Sequence, residues 1–273
     1  MRALKMTQQS DQIELTNMWP IGAKNKNTLS LYEGPSVIDD KPIVVLAANY
    51  KNKSANSKTG DMIQIFILRQ DISPVEASNN GEDSSICGSC NLRPFLAKIA
   101  KLKGDDSALC YVNKGQSPNS AWKSWKAGNV AKVSPFKAGL MTTKSVRQGA
   151  YGDPAAVPMG IWSAFEAGNK HSGTSYTHRW EETPAMASYA MASIDPITYP
   201  DTLAAREEAH QLGFRTYRVV KAGDQLQDGE VWCPEKKRDA NGPTKIQQTQ
   251  CFKCGLCSGN RSGAKDIAIE EIT

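Results

Sequence analysis

Histidine is scarce in this chain, which holds three, His171, His178 and His210, in 273 residues. No two of them sit close together as in rolling-circle nickases, and there is no HExxH, so neither nicking nor zincin-type hydrolysis finds support. The P-loop, the GxGxxG fingerprint and the GxSxG elbow are missing as well, which removes three common routes to nucleotide and acyl chemistry. No run of about 18 apolar residues occurs, so no helical membrane span is expected. The first ten residues are polar and lack an apolar signal core, so the expected compartment is the cytoplasm. The net charge of +5 is mild; it is compatible with a nucleic-acid partner but does not argue for one.

What the chain does have is cysteine. All seven stand in ligand-like settings. Cys251, Cys254 and Cys257 form a CxxCxxC run, in which three thiolates can converge on one ion or cluster without the backbone travelling far. Gly255 and Gly259 allow the tight turns such a knuckle needs. Cys233, before Pro234, completes a set of four. That set suits either a closed structural zinc or the cage of an iron–sulfur cluster, and the spacing does not choose between them. Upstream, Cys87, Cys90 and Cys110 make three. Three thiolates either borrow a histidine, for which His178 is the candidate, or keep an open coordination position, as in a cubane whose fourth iron binds a small molecule. Cys233 could instead complete this upstream set, and both groups could simply be zinc knobs bracing loops. In a leaderless chain CxxC pairs point to metal or redox work before disulfides.

The length and the 40% hydrophobic content allow one large domain. Residues 1–35 read as a polar N-terminal arm, and residues 36–273 as a single α/β domain with cysteine-rich insertions over 87–110 and 233–257. Residues 42–47 and 62–68 are strands flanking a polar, lysine-bearing loop, which suits an antiparallel hairpin. The first cysteine group falls in a Ser/Asn/Gly/Asp-rich stretch read as loop. A helix opens at Ser117-Pro118, and strands and helices then alternate: strands over 146–151, 173–178, 190–195, 214–220, 230–233 and 266–269, helices over 158–167 and 200–212. This repeat predicts a parallel sheet or partial (βα) barrel, of the TIM-barrel kind, with cysteine-rich metal-binding loops. Reactive groups in such folds gather at the carboxyl ends of strands. There the sequence places Tyr151 and Asp153, Thr177 and His178, Ser193 and Asp195, Arg218, and Cys233.

Other patterns are weaker. Lys51, Lys53 and Lys58 could meet phosphates, but such runs are usually solvated. Trp122 and Trp125 interleave with Lys123 and Lys126; base stacking is one use, a core face the commoner one. Asp153, between Gly152 and Pro154, is either a ligand or base, or a turn cap.

Several stretches together resemble an uncharacterised family of tailed-phage proteins: Ile86-Cys87-Gly88-Ser89-Cys90 with Arg93, Cys110-Tyr111-Val112-Asn113, Tyr151-Gly152-Asp153-Pro154-Ala155-Ala156-Val157-Pro158, Tyr176-Thr177-His178-Arg179-Trp180, Met191-Ala192-Ser193-Ile194-Asp195 and Cys254-Gly255-Leu256-Cys257-Ser258-Gly259. The likeness spans about residues 45–270 and implies a bacteriophage origin, hence the cytoplasm of an infected or lysogenic host. More distantly, the order of parts is similar to that of radical SAM enzymes. Three cysteines with an aromatic residue beside the last precede a run of βα units, and Tyr151-Gly152-Asp153-Pro154 resembles the strand end that contacts the methionine amino group. That resemblance implies an iron–sulfur cluster on Cys87, Cys90 and Cys110. It implies S-adenosylmethionine bound by Tyr151, Gly152 and Asp153, and Asp153, His178 and Asp195 as catalytic residues, with Arg218 helping to hold substrate. The substrate class is a nucleotide, nucleic acid or modified base. The competing expectation is a zinc-stabilised nucleic-acid-binding protein without catalysis.

Overall fold

Strand β1 (Asn25–Pro35) leads into two apolar strands, β2 (Pro42–Ala48), buried after its first residue, and β3 (Ile63–Arg69), buried throughout. Continuous burial is what a strand covered on both faces requires. The computed structural model describes residues 18–54, 56–102, 110–221, 223–239, 242–259 and 263–270. After β3 come helices α1 (Pro74–Asn80), α2 (Ser84–Cys87), α3 (Pro94–Leu102) and α4 (Ser117–Lys126). The next elements are β4 (Val130–Lys132), α5 (Pro135–Leu140), β5 (Val146–Tyr151), α6 (Met159–Gly168), β6 (Gly173–Thr177) and β7 (Met191–Ile194). The chain ends with α7 (Thr202–Gln211), β8 (Thr216–Val220), β9 (Glu230–Trp232), the paired β10 (Lys236–Asp239) and β11 (Gly242–Gln247), the one-turn α8 (Cys251–Cys254) and β12 (Asp266–Glu270).

Ten strands form one sheet in the order β4-β1-β2-β3-β5-β6-β7-β8-β12-β9. β2 is antiparallel to both β1 and β3, and every other neighbouring pair is parallel. β2 therefore runs against the rest, and the fold is mixed α/β around a large, mostly parallel sheet. Among the described residues the end strands β4 and β9 do not pair with each other. The expected β2–β3 hairpin is present. Two expectations need correction. Residues 25–35, assigned to the arm, are β1, hydrogen-bonded on both sides; residues 1–17 of that arm lie outside the described residues. The stretch around the first two cysteines is not one loop but three short helices, with Cys87 ending the second and Cys90 in the turn before the third; the first is opened by Ser73, whose hydroxyl accepts from the Glu76 amide at 3.2 Å. A Ser-Pro start satisfies a free helix amide and presets φ, which is how a polar stretch becomes helical.

Alternation along the strands fixes what faces where. On β5, Gln148 points to α6, where its amide meets Glu166, so Arg147 points to the opposite face. On β8, Arg218 reaches Thr202 at the start of α7, and Tyr217 faces the other way. That second face, opposite α6 and α7, is covered by the C-terminal cysteine segment, where Met191, Cys257 and Ile267 form a separate buried cluster with Tyr176 and Tyr217 against it. We call it the inner face.

Helices α5 and α6 approach until Gly139 lies against the Phe165 carbonyl and Gly168 against the Phe136 carbonyl, with no room at either for a Cβ. Gly168→Ala is expected to cost about 1–3 kcal/mol through overpacking, read as a lower urea midpoint.

Candidate metal centres

The first cysteine group is gathered at the carboxyl ends of β3, β5, β6 and β7. Cys87 ends α2, its amide bonded to the Asp83 carbonyl at 2.9 Å, and the Cys90 amide bonds back to the Cys87 carbonyl at 3.3 Å. Cys110 returns beside them, its amide donating to Leu92 at 2.7 Å. Residues 103–109, part of the expected insertion, lie outside the described residues. Arg93 organises the segment. Its Nε binds Asp83 at 2.8 Å, Nη1 the Gly88 carbonyl at 3.0 Å and Nη2 the Gly81 carbonyl at 2.7 Å. Burial pushes the Cys87 thiol well up, and Asp83, Cys90, Cys110 and Asp153 push it further, so all four groups lie close enough to act on its charge.

The strand ends join this group directly. The Asp153 amide donates to the Ile86 carbonyl at 2.6 Å. Its carboxylate accepts from the Ala155 amide at 2.9 Å and the His178 amide at 2.7 Å. The His178 ring lies near enough to Cys90 to feel its charge, and its Nε2 lies 3.9 Å from Asp195 Oδ2. Burial opposes an imidazolium here, but Cys90, Asp153 and Asp195 outweigh it and hold the ring up at about 9. Asp195 uses Oδ1 to cap the Ile197 and Thr198 amides at 3.0 and 2.9 Å. Its Oδ2 is buried without a hydrogen-bond partner, and so are Asp83 Oδ2 and the Tyr151 hydroxyl. Three orphaned polar atoms around one cysteine group are unusual, since buried polar groups are ordinarily paired. Gly152 has φ +86 and lies against the Ile67 carbonyl, so its backbone conformation suits glycine alone.

The sequence thus places Asp153, His178 and Asp195 correctly as neighbours, and the structure adds that Asp153 caps the turn and bonds the next strand end. Asp153→Asn would set an amide nitrogen against one of those two backbone donors. It is expected to cost about 1–3 kcal/mol, measured by urea unfolding.

Arg218 is not in this group. It forms a bidentate pair with Glu230, at 2.7 and 2.6 Å, on the helix-covered face. His210 is likewise occupied elsewhere, with Nε2 2.7 Å from Asp266 Oδ2.

The second group lies on the inner face. Cys233, Cys251, Cys254 and Cys257 line a single cavity of about 20 Å³, together with Lys58, Tyr176 and Tyr217. The Cys251 and Phe252 amides bond to Lys58 and Thr59 at 3.1 Å, and the Cys257 carbonyl accepts from Ser175 at 3.3 Å. Gly255 closes α8 at φ +62. Burial drives the Cys257 thiol up to about 12; the Tyr176 hydroxyl opposes this, and the other three sulfurs add to it. Arg215, which sequence reasoning missed, clamps the segment through the carbonyls of Leu256 at 3.0 Å, Ala264 at 3.1 Å and Lys265 at 2.6 Å, and also that of Ser258. Cys233 therefore sits with the C-terminal set. Among the described residues no three His, Cys, Asp or Glu side chains already stand in the mutual geometry of a metal site. The thiols are gathered into one cavity but not closed into a coordination shell.

No protein family, curated protein or solved structure matches the chain. The class of protein is therefore defined by the fold: mixed α/β with a large, mostly parallel sheet, in which no helix among the described residues is long and apolar enough to cross a membrane.

Proposed function

We propose that this is a metal-cluster enzyme of phage origin. Cys87, Cys90 and Cys110 hold an iron–sulfur cluster at the carboxyl ends of the parallel strands, and Cys233, Cys251, Cys254 and Cys257 hold a zinc ion that fixes the C-terminal segment. The observation that carries this reading is the gathering of three thiols, His178, Asp153 and three buried polar atoms without hydrogen bonds at one edge of the sheet. That donor set fits a thiolate-bound cluster, and orphaned polar atoms fit a site built around a further occupant. The return of Cys110 to Leu92 supports treating the three cysteines as one set despite their spacing.

For the C-terminal set, the donor chemistry is four thiols, and a 20 Å³ cavity is room for about one water-sized particle. A single ion fits that space.

A cluster at the first site supplies one-electron chemistry, with S-adenosylmethionine as the co-substrate that the likeness to radical SAM enzymes suggests. The chain's own residues position and shield. Asp153 fixes the β5 end to the β6 end through the His178 amide, and Gly152 lets the backbone approach closely. Asp195 and His178 present a carboxylate oxygen and a ring at the same edge. A curled, partial-barrel form of the sheet would enclose a substrate above them. The phage likeness supports a nucleotide, nucleic acid or modified base as the substrate class, and the host cytoplasm as the setting.

One observation favours a second reading: His178 stands beside Cys90, so it could be a fourth ligand in a closed zinc site. A purely nucleic-acid-binding role gains less. The Trp122 and Trp125 indole nitrogens are tied to the Arg69 carbonyl at 2.8 Å and Glu33 at 3.2 Å, and both rings pack on the core, which leaves little face for stacking.

Anaerobic purification with visible spectroscopy decides between these readings. A brown protein whose spectrum changes on adding S-adenosylmethionine is expected. A colourless protein with about two zinc ions and no iron would overturn the enzyme reading.

A further inference from the structure

Among the described residues four arginines are at least nine-tenths buried: Arg69, Arg93, Arg147 and Arg218. Three pair with carboxylates. Arg69 meets Asp71 at 2.8 Å and Glu82 at 2.9 Å, Arg93 meets Asp83 at 2.8 Å, and Arg218 meets Glu230 at 2.6 Å. Arg147 has no such partner among the described residues, although it is only 8% exposed. Its Nη2 donates to the Tyr111 hydroxyl at 2.9 Å, and its guanidinium lies 5.9 Å from that ring's centre. A buried guanidinium without an anion is costly, and elsewhere this protein avoids it.

Arg147 projects from β5 onto the inner face, between the two cysteine groups. Tyr111 is next to Cys110 and 71% exposed, so solvent reaches the Tyr111 end of the pair, on the side of the first cysteine group, while the guanidinium itself is buried. Beyond it on the same face, the Tyr176 and Tyr217 rings stand 4.7 Å apart at 57° and form an apolar wall. The rival role for Arg147 is counter-charge to the C-terminal thiols, but Lys58 lines their cavity and Arg147 does not.

We propose that Arg147 and Tyr111 form an oxyanion-binding subsite, which takes the phosphate or carboxylate of a ligand lying along the inner face with its apolar part against Tyr176 and Tyr217. A planar guanidinium fork matches either oxyanion, and in a buried site such a contact fixes orientation as well as affinity. The subsite deepens the enzyme reading and takes its catalytic meaning from it, but its test does not depend on turnover.

The test is calorimetric titration of the full chain with nucleoside 5′-monophosphates, the parent nucleosides, inorganic phosphate and small dicarboxylates, with zinc and iron counted on every preparation. Wild type is expected to bind at least one oxyanion probe. Arg147→Gln is expected to weaken that probe about tenfold or more while zinc content stays the same; a change of this size is about 1.4 kcal/mol. Tyr111→Phe, which removes one hydroxyl from an exposed ring, is expected to weaken the same probe and serves if Arg147→Gln does not fold. Tighter binding of monophosphates than of dicarboxylates identifies a phosphate ligand, and the reverse order a carboxylate. Failure of every oxyanion probe to bind wild type overturns the subsite, and so does equal binding by Arg147→Gln. Unchanged binding together with lost zinc would assign Arg147 to the thiolates. An iron-free protein that still binds an oxyanion through Arg147 would sink the enzyme reading and leave the subsite standing.

Discussion

Truncating Glu230 to alanine is expected to destabilise the protein by about 3–5 kcal/mol, among the largest effects any single change should have. Glu230 and Arg218 meet through two hydrogen bonds, and their side chains are 0% and 3% exposed. Removing the carboxylate strands a guanidinium under α7, with Arg206, 3.6 Å from Glu230, adding a second cation nearby. Replacing both partners by apolar residues of similar volume should cost much less, because no charge is then left behind. The same pair sets a pH dependence. Burial pushes the Glu230 carboxyl up, but the bonds from Arg218 and the Gln227 amide pull harder, so its pKa lies below the ordinary value. A folded pKa below the unfolded one, about 4.3, contributes stability above that pH and loses it as pH falls through the folded value. Urea midpoints of the wild type should therefore drop below about pH 4, and those of Glu230→Gln, lower throughout, should drop less steeply. An alanine variant as stable as wild type would show that the pair is not formed.

If the C-terminal cysteines hold the proposed zinc ion, Cys257→Ser is expected to release it and to lower stability by about 4 kcal/mol when free zinc exceeds its dissociation constant about a thousandfold in the wild type. Cys257 is the most buried of its set, and the ion it helps to hold would tie β9, α8 and β6 together across the inner face. A chelator should reproduce the effect on the wild type and add nothing to the variant. Cys90→Ser, in the other group, should leave the zinc in place. Equal loss of zinc from both variants would mean that the two groups share one site.

Much of this architecture was legible in the chain. Most strands from Val146 onward were visible because branched and small residues alternate with helix starts and glycine stops, and their bounds shift by only a residue or two, but β10 and β11, inside the stretch read as a cysteine-rich insertion, were missed. β1 was missed because Asn25 and Asn27 give it the look of a turn; their side chains in fact accept from backbone amides at the start of the strand and in the loop after β2. The helices around Cys87 were hidden by their serine and asparagine content, although the Ser73-Pro74 start was there to be read.

At the candidate sites, cysteine spacing announced the C-terminal four, and the strand-end rule brought Asp153, His178 and Asp195 together. Arg218 was misassigned because the rule says which residues end a strand but not which face they take; the alternation with Tyr217 supplies that. Arg93 entered the sequence reading only through the resemblance, and Arg147 and Arg215 could not be found from sequence. An isolated arginine carries no pattern, and its role depends on carbonyls, or on a missing carboxylate, brought near by distant segments.

Two separate cysteine sites of different chemistry in one chain can be told apart by counting iron, sulfide and zinc on anaerobically purified wild type, Cys87→Ala and Cys254→Ala. Iron, sulfide and one zinc are expected in the wild type, loss of iron and sulfide alone in Cys87→Ala, and loss of zinc alone in Cys254→Ala. Iron that survives in Cys87→Ala, or a wild type holding no iron, would contradict this assignment.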